Sequence, residues 1–453
     1  MNLRGKKVLV VGLARTGVAL TRFLLRAGAR VTVTDVAPPG ALEDMRAQIQ
    51  GLPVTEELGV QIPRGFHDYD LILLSPGVPP DLGWLQEARR QGIRVWGELE
   101  LAGHFLNRPV LAVSGTNGKT TTTTLLGEFL KASGLRVLVG GNIGTPLISL
   151  LDRQGEADVL VVEVSSFQLD TAPHFHPNYA ALLNITPDHL DRYANFEAYA
   201  TSKAGLFRAM RPEEPKVLNF DDPLVRPLGG YGGRVYYFSR TATLTQGAWL
   251  EEGAVRVRLY SGLAAGFPVA DIRLKGGHNL ENIMAALLLA LEAGASPGAC
   301  REVLATFPGL PHRLEWVASI GGVDFYDDSK GTNVGAVARS LSFFDQPVVL
   351  LAGGRDKDSD FSLLNDLIRK RVKALVLLGE TKEHLARLWG ELVPTHLAED
   401  MKEAVSRAAE LARPGEVVLL SPGCASFDMF RDYAERGEAF QRAVREVLYA
   451  REN

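Results

Sequence analysis

The stretch Val113-Ser114-Gly115-Thr116-Asn117-Gly118-Lys119-Thr120 decides the fold of this chain. It follows an apolar run that predicts a strand, and it leads into five consecutive threonines that open a predicted helix. A glycine-rich turn between a strand and a helix lets backbone N–H groups and the helix dipole hold a polyphosphate. We therefore predict an ATP-binding loop formed by Gly115, Thr116, Asn117, Gly118, Lys119, Thr120 and Thr121.

Two side chains of this loop carry the expected chemistry. Lys119 can reach the terminal phosphates, and the Thr120 hydroxyl is placed to bind Mg²⁺. The complete P-loop pattern requires a glycine six residues before the lysine, where this chain has Val113. A strand–turn–helix with chance glycines is the alternative, but the full Gly-Thr-Asn-Gly-Lys-Thr run after an apolar strand favours nucleotide binding.

Length and composition limit the class of protein. A chain of 453 residues predicts roughly three domains. A net charge of −4 gives no general surface for polyanions, so we expect no nucleic-acid partner. The two cysteines are too few for a disulfide framework, and the N-terminus leads into a strand without a signal-peptide core. Because no apolar stretch is long enough to span a membrane, we expect a cytoplasmic protein with no membrane partner.

The first segment has a mononucleotide-binding pattern. A strand at Val8–Val11 is followed by a turn at 12–17, a helix and a second strand that ends at Asp35. This resembles a dinucleotide fingerprint, but Ala14 replaces the glycine that lets the backbone approach a pyrophosphate. A uridine nucleotide therefore fits better than NAD. Ser75 begins a proline-rich turn after a later strand. This turn is either part of the binding site or only a connection between two elements.

The second segment places polar residues at the ends of predicted strands. Glu163 closes the apolar run Val159–Val162, and a carboxylate there is costly unless it is paired or binds a metal. We favour a role in Mg²⁺ binding over a salt bridge in the core. Asp188 and His189 follow another apolar run, so they are either site residues or turn and cap residues. Asn279 is predicted to cap the helix after it.

The third segment again alternates strands and helices, which predicts a parallel sheet with its loops grouped at one edge. Lys330, Lys357 and Ser426 all fall in such loops. Two lysines and a hydroxyl suit a small anionic substrate, although each lysine by itself could be an ordinary solvated side chain. The sequence thus predicts an α/β protein of three domains, each built on a mostly parallel sheet, with boundaries at 1–97, 98–309 and 310–453.

Taken together, these motifs resemble the ATP-dependent Mur ligases of peptidoglycan synthesis along the whole chain. The phosphate loop is shared with folylpolyglutamate synthase, so it is the least specific element. More specific are Glu163 to Leu169, Asn184 to Tyr193, and Ser421 to Phe430 with Arg436 to Phe440. The resemblance implies a Rossmann-like N-terminal domain, a P-loop-type central ATPase domain and a Rossmann-like C-terminal domain.

The resemblance also implies substrates and a mechanism. It is to the branch that joins D-glutamate to UDP-N-acetylmuramoyl-L-alanine, using ATP, two Mg²⁺ ions and an acyl-phosphate intermediate. The Asp-Asn-Pro-Arg segment of the diaminopimelate- or lysine-adding branch is absent. A regulator that senses a UDP-sugar without ligating it is the rival class, and an L-alanine-adding ligase is the nearest rival enzyme. We expect a monomer.

Residue roles follow from the same resemblance. Lys119 holds phosphates, while Thr120, Glu163 and His189 bind Mg²⁺. The expected ATP contacts beyond the loop are Asn282, Arg313 and Asp328. The expected UDP-sugar contacts are Leu13, Ala14, Arg15, Thr16, Asp35, Ser75 and Asn142. The expected D-glutamate contacts are Asp188, Lys330, Thr332, Lys357, Ser426 and Phe427.

Lys203 is a separate case. The stretch 196–210 is predicted to be a helix, and Lys203 lies on its apolar face with Tyr199 and Phe207. Spacing alone favours a lysine that extends past its neighbours to solvent. The resemblance implies instead that Lys203 is carboxylated by CO₂, which gives a carbamate, an anionic oxygen ligand for Mg²⁺.

Overall fold

The computed structural model describes residues 1–189, 191–231, 233–356 and 358–452. The chain forms two compact units. The first contains residues 1–185, 197–273 and 279–306, and the second contains residues 186–196, 274–278 and 307–453. Within the described residues, no helix is both long and apolar enough to cross a membrane.

The first unit begins with a five-stranded parallel sheet in the order β3-β2-β1-β4-β5. Strands such as Leu71–Leu74 are apolar at every position because helices cover both faces of a parallel sheet. The strands are β1 Lys7–Val11, β2 Arg30–Asp35, β3 Val54–Leu58, β4 Leu71–Leu74 and β5 Arg94–Gly97; the helices are α1 Arg15–Arg26, α2 Glu43–Ala47, α3 Gly83–Arg90 and α4 Glu98–Gly103.

The same unit contains a nine-stranded sheet in the order β14-β13-β12-β11-β10-β9-β6-β8-β7. Its strands are parallel as far as β12, and β13 and β14 add antiparallel hairpins at one edge. The strands are β6 Val110–Ser114, β7 Val137–Gly141, β8 Val159–Glu163, β9 Tyr179–Leu182, β10 Lys216–Asn219, β11 Val235–Ser239, β12 Gly247–Glu251, β13 Ala254–Arg258 and β14 Ala264–Pro268. The helices are α5 Lys119–Ala132, α6 Leu147–Leu150, α7 Ser166–Leu169, α8 Phe196–Ala204, α9 Gly277–Glu292 and α10 Pro297–Thr306.

The second unit is built on a six-stranded sheet in the order β15-β16-β20-β17-β18-β19, in which only the edge strand β15 is antiparallel. Two apolar cores pack against its two faces. The strands are β15 Glu315–Ile320, β16 Val323–Asp327, β17 Val348–Ala352, β18 Val372–Leu377, β19 Thr395–Leu397 and β20 Val417–Leu420; the helices are α11 Val334–Phe343, α12 Asn365–Arg371, α13 Lys382–Trp389, α14 Met401–Leu411 and α15 Tyr433–Glu452.

The α/β architecture of three mostly parallel sheets confirms the predicted fold class. Two local predictions were wrong. The helix predicted to begin after Asn279 begins at Gly277, because Gly276 adopts a positive φ of 106° and redirects the chain immediately before it. The helix predicted over 196–210 ends at Ala204 and tightens into a 3₁₀ turn at Gly205–Phe207, as helices often do at their C-termini.

A buried carboxylate connects helix α4 to helix α6. Glu98, at the start of α4, is 2% exposed and accepts the backbone N–H of Ile148 in α6 at 2.6 Å. Burial raises the pKa of Glu98 to about 7, against the hydrogen bonds of Ile148 and Gln168, which lower it. The carboxyl group is therefore neutral in the folded protein at a pH where it is ionised in the unfolded chain.

This difference predicts a pH dependence of stability. Because the folded state of Glu98 holds its proton to higher pH, its contribution to the free energy of unfolding is full below about pH 4.5 and falls as the pH rises to about 7. The loss is on the order of 3 kcal/mol. Glu98→Gln, whose amide oxygen can still accept from Ile148, should remove this loss. Denaturant unfolding of both proteins at pH 5 and pH 7.5 measures it, and parallel pH profiles would contradict the assignment.

Candidate active site

The predicted phosphate loop is a tight turn between β6 and α5. Gly115 and Gly118 adopt positive φ values of 152° and 85°, which residues with side chains rarely adopt. Val113, at the position where the full P-loop pattern has a glycine, remains in β6 and pairs with Glu163 and Ala181. The turn therefore begins two residues later, at Gly115, and the N-terminus of α5 opens at Lys119. This geometry suits phosphate binding.

Two lysines meet at one carbonyl of this loop. Lys119 Nζ donates to the carbonyl oxygens of Gly115 and Thr116, both at 2.9 Å. Lys203 Nζ, which comes from α8, donates to the same Gly115 oxygen at 2.9 Å. The structure thus brings the predicted phosphate-binding lysine and the lysine predicted to be modified to one point of the loop.

Lys203 does not extend to solvent. It is 2% exposed, and its ammonium lies 4.7 Å from the ring centroid of Tyr199, one helical turn earlier. The Tyr199 hydroxyl shares a hydrogen bond of 3.0 Å with Thr116 Oγ1. One face of α8 is therefore attached to the phosphate loop through two polar side chains.

Glu163 ends β8 beside the loop and is 2% exposed. Its Oε1 accepts from Asn142 Nδ2 at 2.7 Å. Within the described residues, its Oε2 is buried and accepts no hydrogen bond. A buried carboxylate oxygen of this kind is costly, and a hard cation such as Mg²⁺ would compensate it. Glu163 therefore fits the predicted role of a metal ligand, with Asn142 holding its orientation.

Asn282 lies over the other end of the loop. It is buried in the first turns of α9, and its Nδ2 donates to Asn279 Oδ1 at 3.2 Å. A Cβ atom at Gly118 would collide with the Asn282 side chain, so these two residues are in direct contact. Asn279, predicted as a helix cap, acts instead as a side-chain partner of Asn282.

The predicted UDP-sugar residues of the first sheet lie at the carboxyl ends of its strands. Asp35 Oδ2 accepts the N–H of Leu13 at 2.7 Å, and Ser75 Oγ donates to the carbonyl of Gly12 at 2.7 Å. Ala14 is the N-cap of α1, and Arg15 and Thr16 form its first turn. Asp35 and Ser75 therefore hold the loop after β1 in shape.

Arg15 connects this loop to the second sheet. Its Nη1 donates to the carbonyl of Gly144 at 2.6 Å, in the turn that also carries Asn142. Asn142 is thereby brought to the same region as the predicted UDP-sugar residues of the first sheet, while its amide contacts Glu163. The UDP-sugar group and the metal-ligand group are thus linked through one asparagine.

In the second unit, Asp188 and His189 lie next to Asn333. Asn333 Nδ2 donates to Asp188 Oδ2 at 2.9 Å, and its Oδ1 caps α11 by accepting from Ala336 N. His189 has a positive φ of 56°, and its Nε2 lies 3.7 Å from Asp188 Oδ2. A non-glycine residue in this conformation is uncommon and is often found at functional sites.

The loops that carry the predicted D-glutamate residues are joined to each other. The N–H of Gly423 donates to the carbonyl of Gly331 at 2.8 Å. Arg436, from α15, donates from Nη2 to the carbonyls of Ser329 and Cys424 at 2.8 and 3.1 Å. Burial lowers the pKa of this guanidinium to about 10, so its hydrogen bonds compensate a desolvated cation.

The individual residues of these loops differ in exposure. Lys330 Nζ lies 4.2 Å from the ring centroid of Tyr433, and Ser426 is buried, while Phe427 is 64% exposed. The N–H of Thr332 donates to the carbonyl of Lys330. Lys357 lies outside the described residues. Lys330 and Thr332 thus lie in one loop, and Ser426 lies in a second loop that is hydrogen-bonded to it through Gly423 and Gly331.

Asp328 is a buried acid of this unit. Its Oδ2 accepts from the hydroxyls of Ser340 and Ser421 at 2.6 and 2.8 Å. Burial raises the pKa of Asp328 to about 6, while those hydroxyls and the charge of Arg313 lower it. The roles of Arg313 and Asp328 in ATP binding remain predictions.

Some residues of the site were not singled out by the sequence. Tyr199 and Arg436 occur in the predicted helix and motif, but their residue types do not reveal that they join a phosphate loop or two substrate loops. Asn184 follows β9 and bonds to the phosphate loop, although only its place in the motif Asn184–Tyr193 indicated importance. Such contacts depend on which loops meet in space.

Comparison with known proteins agrees with this geometry. Three family descriptions match consecutive parts of the chain: the Mur ligase MurD-like N-terminal domain at residues 6–97, the Mur ligase middle domain at 113–290, and the Mur ligase glutamate ligase domain at 312–424. The chain belongs to the Mur ligase family, whose members are ATP-dependent ligases that use Mg²⁺.

Full-length relatives narrow the assignment. The chain is 48% identical over 446 residues to the UDP-N-acetylmuramoylalanine–D-glutamate ligase of Geotalea daltonii, with 98% of each chain covered. It is 44% identical over 447 residues to the ligase of the same name from Syntrophus aciditrophicus, with 98% of this chain and 99% of the relative covered. Within the Mur ligases, the chain belongs with the UDP-N-acetylmuramoylalanine–D-glutamate ligases.

Solved structures share the fold. The UDP-N-acetylmuramate–alanine ligase of Thermotoga maritima aligns with a TM-score of 0.58 at 19% identity, covering 98% of this chain and 100% of that one. A pseudomurein peptide ligase type C from Methanothermus fervidus aligns with a TM-score of 0.60 at 19% identity, with the same coverage. At this identity, the likeness supports the fold alone.

The loop geometry predicts the effect of a single methyl group. Gly118→Ala combines an unfavourable positive φ with a collision against Asn282, so we expect the affinity for ADP to fall at least about tenfold. Gly134→Ala is the matched control, because Gly134 has a similar φ of 88° and nothing within 4 Å of the added Cβ. Calorimetric titration with ADP measures both. Equal ADP affinities in the two variants would show that the contact with Asn282 is unimportant.

Proposed function

We propose that this chain joins D-glutamate to UDP-N-acetylmuramoyl-L-alanine and releases ADP and phosphate, in the synthesis of peptidoglycan precursors. A carboxylate oxygen of the UDP-sugar attacks the γ-phosphorus of ATP, and the bond from phosphorus to ADP breaks. The amine of D-glutamate then attacks the acyl carbon, the C–O bond to phosphate breaks, and the amine loses a proton. This is in-line phosphoryl transfer followed by acyl transfer.

The observation that carries this proposal is the meeting of Lys119 and Lys203 at the carbonyl of Gly115. Lys119 neutralises the phosphate charge that develops during transfer. The bond from Lys203 to the same loop supports its proposed role, in which a carbamate on Lys203 would supply an anionic oxygen ligand to a metal. After carboxylation one N–H remains on Lys203, so its bond to Gly115 is compatible with the modification.

The donor set fits Mg²⁺. We propose Thr120, Glu163, His189 and Lys203, as a carbamate, as ligands of two Mg²⁺ ions. The proposal is supported by Oε2 of Glu163, which is buried and accepts no hydrogen bond from the part of the chain that the structure describes. When bound, Mg²⁺ supplies charge stabilisation at the phosphoryl oxygens. Asn142 keeps the Glu163 carboxylate in position through its bond to Oε1.

The remaining roles are assigned by region. The UDP-sugar is bound by residues 1–97, ATP by residues 98–309 with Arg313 and Asp328, and D-glutamate by residues 310–453. Within the first region, Asp35 and Ser75 shape the Leu13–Thr16 loop for the nucleotide. Within the last, Lys330, Thr332 and Ser426 lie in loops joined by Arg436, and we include Lys357 and Phe427 with them. We propose that the enzyme acts in the cytoplasm as a monomer.

The proposal predicts amino-acid specificity. Lys330 and Lys357 can each pair with one carboxylate of the acceptor amino acid. We therefore expect the rate of phosphate release from ATP to be far higher with D-glutamate than with L-glutamate, L-alanine or diaminopimelate. The assay follows phosphate release with UDP-N-acetylmuramoyl-L-alanine and each amino acid in turn, with the UDP-sugar omitted as the control. Equal turnover with L-alanine would favour the L-alanine-adding alternative, and no turnover with any amino acid would favour the regulator.

The carbamate predicts chemical rescue. Lys203→Ala should fold, lose at least about 100-fold in activity because a metal ligand is missing, and recover part of it with added short-chain carboxylates. Mass spectrometry of the parent protein, after the carbamate is trapped as an alkyl ester, should find on Lys203 the added mass of one CO₂ and of the alkyl group. Lys131→Ala, which changes an exposed lysine, is the control. Near-parent activity of Lys203→Ala without rescue would refute the carbamate.

A further inference from the structure

Asn184 holds the phosphate loop from the end of the neighbouring strand. Its Oδ1 accepts the N–H of Asn117 at 2.9 Å, and its Nδ2 donates to the carbonyl of Asn117 at 3.0 Å. Its own backbone carbonyl accepts the N–H of Thr116, also at 2.9 Å. Asn184 is 7% exposed, so these three bonds form largely away from water.

These bonds fix the direction of two backbone N–H groups in the loop. The N–H groups of Thr116 and Asn117 both donate to Asn184, so their directions are set by the end of the neighbouring strand. The side chain of Asn184 thus bonds both the N–H and the carbonyl of Asn117. Only a primary amide can both donate and accept at this length, which explains why asparagine suits the position.

Asn184 is itself held from the opposite side. Asn219 Nδ2 donates to the carbonyl of Leu183 at 2.9 Å, and Asp222 Oδ2 accepts the N–H of Ile185 at 2.9 Å. The residues before and after Asn184 are therefore each fixed by a buried side chain from the end of β10. Asn184 therefore extends toward Asn117 from a backbone that is held on both sides.

We propose that Asn184 is a positioning residue for ATP, which keeps the phosphate loop in its binding conformation by clamping Asn117. The missing P-loop glycine gives the physical reason. Because Val113 continues β6, the loop from Gly115 to Gly118 is short, and it takes its shape partly from a neighbouring strand. The inference rests on the proposed function only in that the nucleotide is ATP, and it concerns nucleotide binding rather than ligation.

The test compares Asn184→Ala and Asn184→Asp with the parent. The alanine variant loses both side-chain bonds, whereas aspartate keeps the acceptor but turns a carboxylate oxygen toward the Asn117 carbonyl. We expect the KM for ATP and the Kd for ADP to rise about tenfold or more in both variants. The KM values for the UDP-sugar and for D-glutamate should change less than about twofold, because their residues are elsewhere.

Asn178→Ala is the matched control. The side-chain oxygen of Asn178 likewise accepts a backbone N–H, that of Val110 at 2.9 Å, but Val110 begins β6 and lies away from the loop. It should lower thermal stability without changing the affinity for ADP. Unchanged ADP affinity in folded Asn184→Ala or Asn184→Asp would overturn the proposal, as would an equal loss in Asn178→Ala. Titration with ADP needs no ligase activity, so this result is separate from the outcome of the amino-acid assay.

Discussion

The structure depends on how a short phosphate loop is held between β6 and α5. Gly115 and Gly118 adopt conformations that free the backbone to turn, but such a loop also needs external support to keep one shape. The described side chains that support it include Lys203 at the Gly115 carbonyl, Tyr199 at the Thr116 hydroxyl and Asn184 at Asn117. Two come from α8 and one from the end of β9, so the site depends on elements far apart in sequence.

Hydrogen bonds also connect the strand beside this loop to the first sheet. Glu163 lies at the end of the strand next to β6, and Asn142 contacts its carboxylate. Asn142 belongs to the turn that Arg15 holds from the first sheet. A chain of hydrogen bonds therefore runs from the loop after β1 to the predicted metal ligand.

The sequence predicted what depends on local pattern. The phosphate loop, the parallel strands and the polar residues at their ends follow from apolar periodicity and glycine placement, and the family resemblance supplied the substrates. Lys203 shows the limit of such reasoning. Its helical spacing fitted a solvated lysine, yet the side chain is buried because α8 packs its ammonium against Gly115, a residue 88 positions away. Asn184 and Arg436 were missed as site residues for the same reason, since their partners are set by tertiary packing.

In the proposed reaction, an acyl phosphate forms on the UDP-sugar carboxylate before the amide bond forms. The most direct measurement uses UDP-N-acetylmuramoyl-L-alanine labelled with ¹⁸O in its alanyl carboxylate. If the carboxylate attacks the γ-phosphorus, one labelled oxygen must remain on phosphorus when D-glutamate displaces the phosphate. The released phosphate should then carry one ¹⁸O for each amide bond formed. Unlabelled phosphate, formed at the same rate as the amide product, would contradict the proposed reaction.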